Sequence, residues 1–476
     1  MIPPRKNDEL TVEISSAAFE GKSVARVDGY VLFVEGAVPG DVALVRIIKT
    51  RKQHGEAKIL QLVTPSPLRV SPRCPYVGTC GGCKWQHVDY SAQLRFKEQQ
   101  VRESFERIGG FRSPDVLPII GSDEIFFYRN KMEFSFSEKN WKSEIENRKS
   151  TISQDFAPQP PVYLGLHVPR RYDKVLDIQE CHLQSVESTS ILNFTRAFAR
   201  ASGLPVYSSE AHAGYFRFLV VRQSKRTGDL MVNLVTFEDR PNVMRQYAKE
   251  LRREVPSVTT VVNTINEQKA QIAFGDREQV IYGDGVIREK LGRHMFMISA
   301  ASFFQTNTAQ AEKLYGVARE FAGLTGAETV FDLYSGTGTI ALFISDRSAN
   351  VVGIDSLERS VRDAELNTRN NGVKNCAFLV GDMKDRLTKD TGWMKSFPKP
   401  DVLLIDPPRS GMHPGVVDGI LKLDVPRIVY ISCNPVTQAR DVALLCRGRY
   451  RLLKLQPVDM FPHTYHIECV ALIERV

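Results

Sequence analysis

The stretch Thr329-Val330-Phe331-Asp332-Leu333-Tyr334-Ser335-Gly336-Thr337-Gly338-Thr339-Ile340-Ala341 restricts the fold of this chain more than any other. An apolar run reads as a buried strand, the glycines let backbone approach a ligand closely, and a helix is expected to follow. That order is nucleotide-binding geometry. A G-x-G-x-x-A alone is weak evidence, but Val351-Val352-Gly353-Ile354-Asp355 reads as a second strand ending in an acid placed for the hydroxyls of an adenosine ribose. Gly381-Asp382 follows a third strand, and Asp401 to Ile405 delivers Asp406-Pro407-Pro408-Arg409-Ser410-Gly411 at a fourth. No G-K-[ST] completes a phosphate loop, which disfavours ATP or GTP hydrolysis. The expected unit is Rossmann-like and spans 301–476, opening at Ser302-Phe303-Phe304-Gln305-Thr306-Asn307, with an amphipathic helix to about Phe321.

Within that unit Ile428 to Ile431 is a buried strand that Ser432-Cys433-Asn434-Pro435 ends abruptly, since proline cannot extend the ladder and Asn favours a turn. Cys433 therefore sits at a strand end, the edge where open parallel sheets bind ligands. Its plain alternative is a small buried hydrophobe. NAD and S-adenosylmethionine both suit the glycine loop. A dinucleotide enzyme has no evident use for Asp-Pro-Pro-Arg followed by a strand-end Ser-Cys-Asn-Pro, whereas a methyltransferase acting on a ring carbon does. Pyrimidine C5 is a poor nucleophile, and thiolate addition at C6 makes it an enolate carbon that can attack a sulfonium methyl. The C5 proton must then leave, which requires a base. Glu468, opening the last strand, is the candidate, with His463 and His466 as alternatives.

Length and charge bound the rest. At 476 residues about three domains are expected, and 63 Lys plus Arg against 55 Asp plus Glu is a mild footprint for a polyanionic partner. No run of about 18 apolar residues appears and the N-terminus lacks a signal core, so a cytoplasmic protein without membrane attachment is expected. Residues 1–64 alternate as five short strands, an OB-like β-barrel whose Arg46, Lys49, Arg51, Lys52 and Lys58 suit RNA. Phe33-Val34-Glu35-Gly36-Ala37-Val38-Pro39-Gly40-Asp41 resembles the TRAM domain. Residues 70–300 read as a β-rich, largely antiparallel central domain with cations interleaved among aromatics, a pattern suited to single-stranded RNA. Asn140 to Pro161 reads as an exposed insertion. Cys74, Cys80 and Cys83, with Cys181 as the distant fourth thiol, call for a metal or cluster. Three local thiolates plus one distant one hold iron-sulfur clusters, and zinc is the rival.

Cys-x5-Cys-Gly-Gly-Cys, Ser-Phe-Phe-Gln, Asp-Leu-Tyr-Ser-Gly-Thr-Gly, Ile-Asp-Pro-Pro-Arg-Ser-Gly, Ser-Cys-Asn-Pro and Phe-Pro-His-Thr-x-His-x-Glu occur in that order. The chain thereby resembles the RNA uracil-5 methyltransferase family, in particular its TRAM-bearing, iron-sulfur branch that modifies ribosomal RNA. The resemblance implies a multidomain α/β fold, with Cys433 as nucleophile and Glu468 as base. It implies Gln305, Tyr334, Thr339, Asp355, Asp382 and Asp406 as contacts to S-adenosylmethionine, and Cys74, Cys80, Cys83 and Cys181 as ligands of a structural 4Fe-4S cluster. Tyr334 and Thr339 stand where some relatives have Phe and Asn, and Asp382 where some have Asn. The implied reaction is methylation of a loop or bulge uridine, in 23S ribosomal RNA before transfer RNA, by a monomer. An RNA cytosine-5 methyltransferase and a non-catalytic RNA-binding iron-sulfur protein are the alternatives.

Overall fold

The structure, a computed structural model, describes residues 4–141, 161–169 and 171–476, and residues 142–160 of the expected insertion lie outside them. The described residues form a closed five-stranded barrel, two seven-stranded sheets and a two-stranded hairpin. The barrel comprises β1 (Glu9–Ala17), β2 (Ser23–Val27), β3 (Tyr30–Glu35), β4 (Val42–Thr50) and β5 (His54–Thr64). Alternation builds it: Ala43, Val45 and Ile47 of β4 point inward with Ile14, Leu32 and Val34. The segment that links β3 to β4 closes on the buried Asp41. Its carboxylate accepts the Val38 and Ser66 backbone N–H groups and pairs with Arg69 at 2.6 Å.

The central sheet contains β6 (Lys131–Ser137), β7 (Tyr163–Val168), β8 (Arg171–Leu176), β9 (Phe216–Gln223), β10 (Leu230–Thr236), β11 (Thr260–Ile265) and β12 (Arg277–Tyr282), in the order β12-β11-β10-β9-β6-β7-β8. It departs from the antiparallel expectation at one ladder, because β10 and β11 are parallel. The helix Pro241–Glu254 between them is the cause, since a helical crossover returns the chain to the same end of the sheet. A hairpin of β13 (Val286–Leu291) and β14 (His294–Ser299) leads into the C-terminal unit.

That unit has β15 (Thr329–Leu333), β16 (Asn350–Asp355), β17 (Cys376–Val380), β18 (Val402–Ile405), β19 (Arg427–Ser432), β20 (Tyr450–Val458) and β21 (Glu468–Arg475), ordered β17-β16-β15-β18-β19-β21-β20. The first five of these strands are parallel, and β21 is antiparallel to both neighbours. Strand order reverses between β15 and β18, so the crevice at their carboxyl ends is the ligand-binding position of such a sheet. Among the described residues no helix is long and apolar enough to cross a membrane.

Helix α1 (Tyr90–Arg107), capped by the Asp89 carboxylate, packs onto this sheet through Val101 and Phe105, which share a core with Leu455 and Tyr450. Four residues of its inner face are polar and buried: Gln93, Lys97, Gln100 and Ser104. The Lys97 ammonium donates to Asp459 at 2.6 Å with both side chains fully buried, and the Tyr90 hydroxyl donates to the other Asp459 oxygen at 2.8 Å. Breaking one half of such a pair leaves an uncompensated buried charge, at a cost of about 3–5 kcal/mol. Lys97→Met is therefore expected to lower the thermal midpoint markedly, and Lys97→Met with Asp459→Asn to restore more than half of the loss. Calorimetry that finds the single variant as stable as the parent contradicts this.

Candidate active site

The glycine loop is built by backbone geometry. β15 ends at Leu333, Tyr334 and Gly336 adopt positive φ of 67° and 53°, and Gly338 at 74° starts the short helix Thr339–Ile344. A Cβ on Gly338 would come within 2.8 Å of Phe378 and 2.9 Å of Ala364, so packing demands glycine there. At Gly336 a Cβ meets nothing within 4 Å, which leaves the outer side of the loop open to a ligand. The Asp355 carboxylate at the end of β16 accepts the Gly336 and Leu357 N–H groups, each at 2.9 Å. Thr337 donates to the Phe303 carbonyl, and Asn130 of the central region donates to the Gln305 carbonyl at 2.8 Å. Gln305 is thereby held beside the loop, with the Phe303 ring 65% exposed next to it.

The other predicted cofactor residues fall around the same edge. Tyr334 follows β15, and its phenol is pushed up by burial and by the nearby Asp382 and Asp441. The Thr339 hydroxyl bonds the Tyr315 hydroxyl at 3.1 Å. Asp382 caps the helix Met383–Thr388 by accepting the Asp385 N–H. Asp406 follows β18 directly, and burial raises it to about 7. One carboxylate joins them that the sequence reading did not assign. Asp332, on β15, is fully buried, and only the Ala341 N–H opposes the cost of its charge. Burial first, then Asp406 and Asp355, hold it well above the usual carboxylate range. Its signal in the sequence is an acid inside an otherwise apolar strand.

Cys433 is half-buried at the tip of β19. The turn that presents it is made by Asn434, whose side-chain oxygen accepts the Val436 N–H, and by Pro435 at the first position of the helix Pro435–Cys446. In the β19–β21 ladder Ser432 stands opposite Cys469. The next residue outward on each strand, Cys433 and Glu468, consequently projects to the same face. Burial, with Glu468 and Asp406 adding to it and Arg409 opposing them, pushes the Cys433 thiol up to about 11. Glu468 is 5% exposed and lies well above the ordinary range, through burial and then Asp406, again opposed by Arg409. Arg409 also donates to His466 at 3.4 Å, and burial with Arg409 brings that imidazole down to about 4, so it is neutral at pH 7. His463 is turned away to α1, where Gln93 contacts its Nδ1 at 3.2 Å and the Phe126 ring lies tilted against it at 4.5 Å between centroids. The structure therefore brings Cys433, Glu468, Asp406, Arg409 and His466 together and leaves His463 out.

The four remaining predicted residues meet elsewhere. Cys74, Cys80, Cys83 and Cys181 are free thiols lining one cavity of about 460 Å³, with Tyr76, Gln86 and Arg129. The Cys80 sulfur accepts the Gly82 N–H at 3.3 Å, and the Cys83 sulfur accepts Gln86 Nε2 at 3.4 Å. Burial, aided by the neighbouring thiols, pushes Cys80 to about 11 and Cys83 to about 12. Among the described residues no three His, Cys, Asp or Glu side chains converge as the ligands of a single metal ion do.

A family model described as tRNA (Uracil-5-)-methyltransferase matches residues 215–476, and a TRAM domain model matches residues 5–60. The chain belongs to the tRNA (uracil-5-)-methyltransferase family. It is 43% identical over 468 residues to an uncharacterized RNA methyltransferase of Porphyromonas gingivalis, covering 98% of this chain and 99% of that one. An uncharacterized RNA methyltransferase of Chlorobaculum tepidum is 42% identical, with 99% and 97% covered. Among solved structures, the Pyrococcus abyssi tRNA (uracil-54, C5)-methyltransferase in complex with S-adenosyl-L-homocysteine superposes with a TM-score of 0.73 at 29% identity, over 98% of this chain and 100% of that one. This methyltransferase is accordingly an S-adenosylmethionine-dependent enzyme that acts on RNA.

The methyl donor fits the crevice on chemical grounds. Asp332, Asp355 and Asp406 crowd one end of it, with Asp332 fully buried. A ligand carrying a sulfonium and an ammonium relieves that concentration of acids. In the methyltransferase without ligand, ionising Asp406 costs folded-state stability. Its folded pKa exceeds the unfolded value, so the cost is absent below about pH 4 and grows as pH rises through 7. Asp406→Asn is expected to raise the thermal midpoint of the free enzyme more at pH 8 than at pH 5. Equal shifts at the two values contradict a late-ionising Asp406.

Proposed function

We propose that this enzyme methylates C5 of an unpaired uridine in folded RNA, in the first instance 23S ribosomal RNA, through a covalent bond between Cys433 and C6. The observation that carries the reading is the shared face of Cys433 and Glu468, at the sheet edge that also carries Asp406 and the glycine loop. S-adenosylmethionine, when bound, supplies an electrophilic methyl, and Gln305, Tyr334, Thr339, Asp355, Asp382 and Asp406 are the residues that would hold it. Thiolate attack at C6 forms a carbon–sulfur bond and moves the ring's π electrons to C5, which then takes the methyl. Glu468 removes the C5 proton, and the returning electrons expel the Cys433 sulfur. A carboxylate with a raised pKa is a competent base for that proton near neutral pH.

The barrel at 1–64 and the central region at 70–300 grip the RNA in this reading, while 301–476 performs the transfer. The exposed Phe303 ring beside the crevice offers a stacking face to a base. Extruding a paired base costs a few kcal/mol, which favours a loop or bulge uridine. Cys74, Cys80, Cys83 and Cys181 suit a 4Fe-4S cluster, because four thiols share one cavity and two already accept N–H groups. The cluster's part is structural, since the transfer moves no electrons to or from the protein. Transfer RNA is the second reading, favoured by the activity that the Pyrococcus enzyme's description names.

Labelled methyl donor incubated with 23S ribosomal RNA and with bulk transfer RNA, followed by nuclease mapping, decides between them. Label in 5-methyluridine of ribosomal RNA alone is expected. Label in transfer RNA alone favours the second reading, and label in 5-methylcytidine overturns uridine as the target. Cys433→Ala is expected to abolish turnover while RNA affinity stays within about threefold by filter binding, and retained turnover removes Cys433 as nucleophile. Glu468→Gln is expected to accumulate an enzyme–RNA adduct visible on denaturing gels. Product release at the parental rate excludes Glu468 as the base.

A further inference from the structure

The charged groups facing the Cys433 thiol are Glu468 at the start of β21 and Asp406 and Arg409 after β18, with His466 of the turn before β21 lying against Arg409. Two acids oppose ionisation of the thiol and one cation favours it, so the thiolate fraction depends on where that cation stands. Arg409 is exposed and sits on a loop. A long exposed side chain contributes little to its neighbour unless its base is fixed, because ordering it costs entropy and water screens it.

Its base is fixed, and by the residue next to the thiol. Asn434 Nδ2 donates to the Arg409 carbonyl at 3.0 Å, and the Thr437 hydroxyl donates to the same oxygen at 3.2 Å. The far end of the loop is pinned separately. Arg440 donates to the Ser410 carbonyl at 3.0 Å, and the fully buried Asp441 accepts the Met412 N–H at 2.7 Å. Asn434 therefore performs two tasks at once, since its oxygen caps the helix Pro435–Cys446 while its amide grips Arg409. Ser, Thr or Asp could supply the cap. None of them could supply both: Asp has no donor, and the hydroxyls of Ser and Thr do not reach as far as a carboxamide nitrogen.

We propose that Asn434 is a positioning residue for the nucleophile, tying the Arg409 backbone to the Cys433 turn so that the guanidinium stays beside the thiol. This rests on the reading of Cys433 as nucleophile. The consequence is that Asn434, with Thr437 as a second tie, registers the loops at the ends of β18 and β19 to each other, and the nucleophile carries its own activating cation with it.

Asn434→Ser tests the proposal, because it keeps a capping oxygen and adds no charge. The readout is the pH dependence of iodoacetamide alkylation of Cys433 in the folded enzyme, followed on its own peptide by mass spectrometry. The midpoint is expected to rise by about one pH unit, which is about tenfold in thiolate at a given pH. At pH 7.5 kcat is expected to fall about tenfold while KM for RNA changes by less than about twofold, and the deficit to shrink as pH rises. Arg409→Met is expected to give a similar alkylation shift, and adding Asn434→Ser to it no further shift. Thr437→Val, which leaves the cap untouched, is expected to shift the midpoint in the same direction by less. An unmoved midpoint in Asn434→Ser, or a full second shift on top of Arg409→Met, overturns the proposal. Methylation retained by Cys433→Ala would instead overturn the nucleophile reading, while the alkylation shift would still report whether Asn434 holds Arg409.

Discussion

Antiparallel pairing of β19 with β21, with Ser432 opposite Cys469, determines which side chains reach the crevice. A slip of one residue in this pairing would put Cys433 and Glu468 on opposite faces, because side chains alternate along a strand. The register is held by burial of nearly every residue in both strands, so that Ile428, Tyr430, Ala471 and Ile473 enter one core while Val429, Ile431, Val470 and Leu472 enter the other. The parallel strands then contribute their own carboxyl ends to the same edge: Asp332 and the glycine loop from β15, Asp355 from β16, Asp406 and Arg409 from β18. Acids are concentrated there beyond what an empty site favours, which is the condition under which a cationic methyl donor and an electron-poor ring are both accommodated.

The turn before β21 is the second element that must hold still. It is fixed from outside its own sheet: Lys97 and Tyr90 hold Asp459, Gln93 holds the His463 N–H, and the Lys84 and Trp85 N–H groups both donate to the His463 carbonyl. Gln310 and Asn307 add bonds to the Asp459 and Met460 carbonyls. His463 sits at φ 66°, a conformation costly for a residue with a side chain, and these contacts over-determine it. Lys84 follows Cys83 immediately, so the cysteine-lined cavity and the turn carrying His466 and Glu468 are one continuous scaffold. A structural cluster at Cys74, Cys80, Cys83 and Cys181 would thus act on the chemistry through position alone.

Much of this was legible in the residues. The barrel strands, the glycine loop and the Asn434-Pro435 turn all follow local rules that tertiary context did not override. The parallel ladder between β10 and β11 was not legible, because alternation records which face is buried and not the direction of the neighbour. Lys97 lies three residues after Leu94 and four before Val101 on α1, and its partner is 362 residues away. A lysine in an apolar stripe signals a buried charge, but no local pattern names the acid that meets it. The clasp from Asn434 to Arg409 was hidden for the same reason: Asn434 was read for its turn and Arg409 as part of Asp-Pro-Pro-Arg, and the bond between them exists only once β18 and β19 are paired.

Activation of Cys433 is the demanding part of the proposed chemistry. A thiol near 11 is almost wholly protonated at neutral pH, and Arg409 is the cation that the fold sets beside it. The most direct measurement is peptide mapping of the enzyme after incubation with S-adenosylmethionine and substrate RNA carrying 5-fluorouridine, whose C5 fluorine cannot leave as a proton. The mechanism predicts a methylated fluoronucleotide linked through C6 to the Cys433 sulfur. Linkage to another residue, or no linkage under conditions where unmodified RNA is methylated, would contradict it.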